Sequence, residues 1–148
     1  MELIIRESKF IIFAFIIYFT GCGSGIQTIN IDLISDVNAN GGNAVVIKIY
    51  QLTNDDNFRY ADFKSLWKNA EKTLANELIP PFREELIIPN KNIELKEFEI
   101  SKDAAFVGVV GDFHSPSTDG WRLIISVDSD IDYLKILILE NSLSLQKE

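Results

Sequence analysis

The chain reads as mainly β, a two-sheet antiparallel β-sandwich with one helical insertion after the second strand. Three observations predict it. Apolar residues alternate over Ile29, Ile31 and Leu33, and again over Val45, Ile47 and Ile49, the period-two pattern of half-buried strands. Further short apolar runs follow, punctuated by turns rich in Asn, Asp, Gly and Pro at the spacing of a sandwich. Only one stretch, Phe58 to Leu78, repeats its apolar residues at helical spacing.

Ile26 to Ser35 is the first predicted strand, with Asn30 and Asp32 on the solvent parity. Asp36-Val37-Asn38-Ala39-Asn40-Gly41-Gly42-Asn43 is a loop, because Asn, Asp and Gly favour turn conformations. It is longer than the two residues that suffice to join adjacent antiparallel strands. It is also poor in apolar side chains, so its length is expected to be dispensable for folding. Ala44 to Leu52 is the second strand, and Thr53 to Asn57 a polar turn. In the helical stretch, Phe63, Leu66 and Trp67 recur at i, i+3 and i+4, and Leu74 and Leu78 continue the stripe. Asp62 is placed to cap the N-terminus, and Pro80-Pro81 to end the helix. A break near Asn69 leaves one helix or two open.

Leu86-Ile87-Ile88 is a short strand, followed by a turn at Pro89-Asn90 in which Asn90 tolerates a positive φ. In the next strand, Ile93 and Leu95 share one parity and Phe98 and Ile100 the other; a bulge near Lys96-Glu97 reconciles them. Ala104 to Phe113 and Trp121 to Val127 are strands joined by a polar loop, His114 to Gly120. Ile131 to Leu139 and Ser142 to Leu145 complete the set.

The N-terminus reads differently. Phe10 to Phe19 is unbroken apolar sequence, ending in Thr20-Gly21-Cys22. A hydrocarbon core of about 30 Å needs roughly 20 apolar residues, so this run is too short to span one. It fits the apolar segment of a signal peptide, roughly 7–15 residues before a small-residue cleavage site. Small residues followed by the sole cysteine form a lipobox, with cleavage before Cys22 and acylation of its thiol. Residues 1–21 are therefore expected to be a lipoprotein signal peptide, 22–25 the lipidated cysteine and a short tether, and 26–148 the sandwich domain. Glu2 and Glu7 balance Arg6 and Lys9 before the apolar run, and Phe19 stands where Leu is commoner. Gly23-Ser24-Gly25 is a flexible spacer, and four residues reach only ~14 Å, so the domain is expected close to the membrane.

The net charge is −8 at pH 7 and does not change when residues 1–21 are removed. An acidic domain is a poor partner for nucleic acid or an anionic bilayer surface. With Cys22 acylated no thiol is left for a disulfide, so the fold rests on its hydrophobic core. No cofactor is expected beyond the covalent lipid on Cys22. No catalytic set stands out: His114 is the only histidine and lies in a polar loop with no arranged partner in sequence. Asp128-Ser129-Asp130-Ile131-Asp132 looks superficially like a calcium loop, but Tyr133 and Leu139 occupy the positions of the Gly and Glu that such a loop needs. Trp67 and Trp121 have apolar neighbours and read as core. No metal site and no enzyme activity are expected.

A set of segments, taken in order, resembles a known family. The lipobox precedes an Asn-rich loop, then Ile47-Lys48-Ile49-Tyr50-Gln51-Leu52, Ala61-Asp62-Phe63, Ile88-Pro89-Asn90, Gly108-Val109-Val110-Gly111-Asp112-Phe113 and Trp121-Arg122. This order is similar to that of the outer-membrane lipoproteins of type VI secretion systems, the TssJ (SciN/VasD) family. Asn90 stands where the family has Gly, Gly111 where Ala is common and His114 where Arg is common. The resemblance implies a transthyretin-like sandwich and a structural, non-enzymatic role on the periplasmic face of the outer membrane. It implies binding to the periplasmic C-terminal region of the inner-membrane protein TssM. It also implies that the loop of Asp36, Val37, Asn38, Ala39, Asn40, Gly41, Gly42 and Asn43 carries much of that contact. Gly23, in place of an Asp after the cysteine, fits outer-membrane sorting. From the residues alone, the alternative is a periplasmic lipoprotein that binds a small ligand or glycan through exposed aromatics such as Tyr60 or Tyr133.

Replacing Cys22 with Ser is expected to block signal cleavage and incorporation of labelled fatty acid, measured by metabolic labelling and the electrophoretic shift of the precursor. Label on the Cys22→Ser variant would exclude this cysteine as the acylation site.

Overall fold

The computed structural model describes residues 26–127 and 130–146. Residues 1–21, expected to be a signal peptide, residues 22–25 with Cys22, and residues 128–129 and 147–148 lie outside the described residues. The elements in order are β1 (Ile26–Ser35), β2 (Val45–Leu52), α1 (Asp56–Tyr60), α2 (Phe63–Leu74), β3 (Leu78–Ile87), β4 (Asn92–Ser101), β5 (Phe106–Gly111), β6 (Arg122–Ser126), β7 (Tyr133–Ile138) and β8 (Leu143–Gln146). Short 3-10 turns occupy Ala39–Gly42 and Ala75–Glu77. The strands form two four-stranded sheets, ordered β4-β1-β7-β8 and β3-β2-β5-β6. Every pair is antiparallel except β1 with β7, which run parallel.

The alternation seen in the sequence builds the core. Ile29, Ile31 and Leu33 of β1 turn inward, with Ile136 and Ile138 of β7 beside them. Facing them are Ile47 and Ile49 of β2 and Val107 and Val109 of β5, all at most 1% exposed. Each such side chain contributes about 1.5–3 kcal/mol when taken fully out of water. The parity change in β4 is resolved by a bulge: Ile29 pairs with Phe98 but Ile31 with Leu95, so Lys96 and Glu97 together oppose Asn30. Glu97 takes φ 50° and its N–H donates to Asn30 Oδ1 at 3.1 Å.

The helical insertion covers the outer face of the second sheet. The possible break at Asn69 is real: this residue has φ −138° inside α2. Lys48 Nζ donates to the Trp67 carbonyl at 3.2 Å, just before the kink, and sits 4.1 Å from the Trp67 ring. Asp62 caps α2, its side chain accepting from the Ser65 N–H at 2.9 Å. Of the one helix or two left open, the structure has two, separated at Ala61-Asp62. One expectation fails. Pro80-Pro81 does not end a helix: α2 stops at Leu74, Ala75 takes φ 48°, and the prolines lie within β3. β3 is an edge strand, where a missing N–H need not cost a ladder bond. Opposite Tyr50 the register slips, from Ile49 with Arg83 to Gln51 with Ile79, and the prolines fall in the extra length of β3. The strand predicted at Leu86-Ile87-Ile88 is thus the end of a longer one that stops at Ile87.

Phe58 of α1 is fully buried because Gly108, in the middle of β5, leaves room for its ring. A β-carbon at Gly108 would lie 2.6 Å from Phe58 Cε2. Gly108→Ala is therefore expected to destabilise the domain by ~1–3 kcal/mol through overpacking. Thermal unfolding should show a midpoint several degrees lower, partly restored by Phe58→Leu in the same chain; an unchanged midpoint would show that the insertion yields freely.

Candidate functional site

The candidate residues 36–43 join the end of β1 to the start of β2, and these strands belong to different sheets. The loop is therefore a crossing between the two layers and not a hairpin, and its length is needed. This corrects the expectation that it is dispensable for folding. Its residues divide into two sets. Ala39 and Asn40 are buried, at 0% and 5% exposure, while Asp36, Val37, Asn38, Gly41, Gly42 and Asn43 are exposed. Asn40, Gly41 and Gly42 take φ of 49°, 61° and 81°, the left-handed region that Asn and Gly tolerate best.

Asn40 organises the loop. Its Nδ2 donates to the Ala44 carbonyl at 2.7 Å, and its Oδ1 accepts the His114 N–H at 2.6 Å. Its own N–H donates to the Leu139 carbonyl at 3.2 Å. The Asp36 N–H donates to the Ile138 carbonyl at 2.9 Å, and the Asp36 carbonyl accepts the Asn90 N–H at 3.2 Å. The Ser117 N–H donates to the Asn141 carbonyl at 2.9 Å. Four connections, 36–44, 88–91, 112–121 and 139–142, thus meet at one end of the sandwich. Asn90 takes φ 58° in its turn, as its place after Pro89 predicts. A polar cleft of about 270 Å³ lies among Asn40, Gly41, Asn43, His114, Glu140 and Asn141. Val37 is 62% exposed at this end, and Leu86 and Ile88, leading into the 88–91 turn, are 60% and 56% exposed. The sequence marks both as strand residues and Ile88 also as part of a family segment; their exposure beside the turn comes from the structure alone.

The other sequence candidates are scattered. His114 is exposed and contributes its backbone to the loop cluster. Among the described residues no group of three or more His, Cys, Asp or Glu is placed to hold a metal ion, and no helix is long and apolar enough to cross a membrane. Tyr60 is 83% exposed on α1. Tyr133 lies on the outer face of the opposite sheet, its hydroxyl donating to Asp32. The two aromatics therefore form no common platform. Trp121 is 8% exposed and meets Phe63 edge-on at 5.4 Å, and Trp67 stacks on Phe63 at 5.5 Å, so both tryptophans pack as predicted.

The segments that carried the resemblance meet in space. Arg122 Nη1 donates to the carbonyls of Phe58 at 3.2 Å and Ala61 at 3.0 Å, closing the C-terminus of α1 against β6. A cation at a helix C-terminus also complements its dipole. Beside it, Trp121 holds Phe63. Tyr50 packs against Phe58 and Phe82 with its hydroxyl buried. That burial, with Glu84 nearby, pushes the phenol well above its usual range, so it stays neutral. Gln51 Nε2 donates to the Glu99 carbonyl at 2.8 Å and its Oε1 accepts the Ser101 N–H at 2.8 Å, tying β2 to β4 in the other sheet. These residues are architectural: they seat the insertion and join the layers.

A protein-family model for type VI secretion lipoproteins (VasD, EvfM, TssJ) matches residues 27–143, nearly the whole sandwich. The chain belongs to the type VI secretion lipoprotein family. The fold agrees. The type VI lipoprotein TssJ1 from Pseudomonas aeruginosa superposes with a TM-score of 0.73 at 22% identity, covering 82% of this chain and 96% of that one. Serratia marcescens Lip, a membrane-bound component of the type VI secretion system, gives 0.72 at 18% identity, covering 82% and 97%. A chain in a structure of the type VI protein TssM C-terminal domain (869–1107) from EAEC gives 0.69 at 21% identity, covering 82% and 98%. No curated protein sequence matches. As a member of the TssJ family, the chain has the mainly-β, two-sheet fold with its helical insertion that the alternation predicts.

Asn40→Ala removes both side-chain bonds and places a less tolerant residue at a positive φ. It is expected to cost ~1–3 kcal/mol for the unpaired buried groups alone. Val37→Ala, three residues away, should stay within about 0.5 kcal/mol. Chemical denaturation of the two variants checks the order, and equal stabilities would mean that Asn40 does not organise the loop.

Proposed function

We propose that this lipoprotein is held on the periplasmic face of the outer membrane by acyl chains on Cys22, and that its loop end binds the periplasmic C-terminal region of TssM. The role is structural, a link in a complex that spans two membranes, with no catalysis. The observation that carries the reading is the direction of β1. Ile26, four residues after Cys22, pairs with Ser101 at one end of the sandwich. β1 then runs ten residues, roughly 33 Å, to the crossing loop at the opposite end. An anchor at Cys22 therefore keeps the tether end at the bilayer and presents Val37, Gly41, Gly42 and Asn43 away from it. Loops on a rigid scaffold are common sites of binding residues. Similar folds occur in structures described as a type VI membrane complex and as the TssM C-terminal domain, which supports TssM as the partner. More than one acyl chain makes attachment effectively permanent, at about 0.8 kcal/mol per buried CH₂. Gly23 after the cysteine supports outer-membrane delivery.

Val37→Asp tests the surface without disturbing Asn40. Calorimetric titration with the TssM periplasmic region should show affinity at least tenfold weaker, about 1.4 kcal/mol, with the thermal midpoint unchanged. Tyr60→Ala, on the helical insertion, should leave affinity as it is. The opposite pattern would move the interface to the insertion.

A further inference from the structure

We propose that an apolar groove between the open sheet edges holds one of the acyl chains carried by Cys22. The inference rests on the acylation proposed above and adds where one chain lies. β8 ends one sheet and β6 the other, and among the described residues neither edge has a second strand partner. Between them opens a groove of about 530 Å³ lined by Ile124, Ile125, Ile131, Leu134 and Leu145. Ile125 and Leu134, at 4% and 5% exposure, belong to the sandwich core, so the groove reaches down to it. Clefts of roughly 300–1,000 Å³ enclose most of a drug-sized ligand, and a single acyl chain is of that class.

Three features select the lipid of this same chain as the occupant. The groove opens at the ends of β6, β7 and β8 that face the tether, where Phe106 pairs with Ser126, Tyr133 begins β7 opposite Asn30, and Lys135, level with Asp32 of β1, pairs with Gln146. The start of β1 is bonded to its wall, since Gln27 Nε2 donates to the Ile131 carbonyl at 2.8 Å. Cys22 is five residues from Gln27, a reach of at most ~17 Å. The lining is apolar over five residues and polar at Ser126, Tyr133, Lys135 and Gln146; Lys135 is its only charged residue, and a lysine stem covers apolar surface while its head stays in water. A lipidated cysteine carries more than one acyl chain, so one in the groove leaves the others in the bilayer and fixes the rotation of the domain at the membrane.

The test is metabolic labelling of cells with a palmitate analogue bearing an alkyne and a diazirine. The full-length lipoprotein is irradiated in its membranes, and adducts are mapped by mass spectrometry. Intramolecular adducts are expected on Ile124–Ser126, Ile131–Lys135 and 145–146. Leu145→Trp, which fills the groove, should lower their yield at least fivefold with label incorporation and thermal midpoint unchanged; Ile131→Trp serves if Leu145→Trp fails to fold. A labelled protein with no adduct on these residues, whether the label reacts only with phospholipid, with a second copy or with another protein, overturns the groove and leaves acylation standing. A protein that takes up no label overturns both.

Discussion

β1 and β2 are the central strands of opposite sheets, and the chain passes between them in residues 36–44. That crossing is the constraint on which the remaining architecture depends. β1 gives its two edges to β4 and β7, and β2 gives its two edges to β3 and β5, so the crossing joins the middles of both layers. Backbone groups that traverse the rim of a core need partners, because an unpaired buried polar group costs as much as a lost hydrogen bond. The Asn40 amide supplies two of them and its N–H a third, reaching the β2, β5–β6 and β7–β8 segments at once. A network of this kind is stable when every member is satisfied and fragile when one is not.

The strand pattern was legible because one face of each strand is dry. Ile29, Ile31 and Leu33 announce their parity, and the clash of parities in β4 locates its bulge to within the two residues where it occurs. The Asp62 cap and the Asn90 turn were legible for a similar reason: their local chemistry is decided within three or four residues. What was not legible is long-range. Pro80-Pro81 looks like a helix stop, but its meaning depends on β3 being an edge strand, which only the sheet order reveals. The loop looked dispensable because two strands adjacent in sequence are usually paired in space. Here they lie in different layers, and no local feature of 36–43 says so. Its buried members, Ala39 and Asn40, carry no hydrophobic signature that would have marked them.

The family segments illustrate a separation between what identifies the chain and what acts. Trp121-Arg122, Ala61-Asp62-Phe63 and Tyr50-Gln51 converge on the docking of the insertion and the closure of one side of the sandwich. Arg122 is suited to this task since its planar fork meets two carbonyls with fixed geometry. The loop end has little of this character. Its exposed positions are small or polar, apart from Val37 and Ile88, and beyond Asn40 its side chains make short-range bonds, such as Asn43 to the Asn40 and Gly41 carbonyls at 3.2 and 3.3 Å. A motif search therefore finds the scaffold, and the surface has to be found from position.

Position acquires meaning from stiffness. A loop cluster on a flexible stalk would lose its orientation, and any partner would have to restrict it at an entropic cost. Here the path from Ile26 to Ser35 is a single strand, paired with β4 along its length, flanked by β7 as well from Asn30 onward, and buried on one face. The crossing that follows is tied into three neighbouring connections. Such an element holds its two ends at a fixed separation and angle, so a restraint at the tether end is also a restraint on the loop end. The same strand that supplies the core's most buried row, Ile29, Ile31 and Leu33, is thus the spacer between the start of the domain and the crossing loop. Core packing and presentation are one physical requirement in this domain, and a change that loosens β1 acts on both.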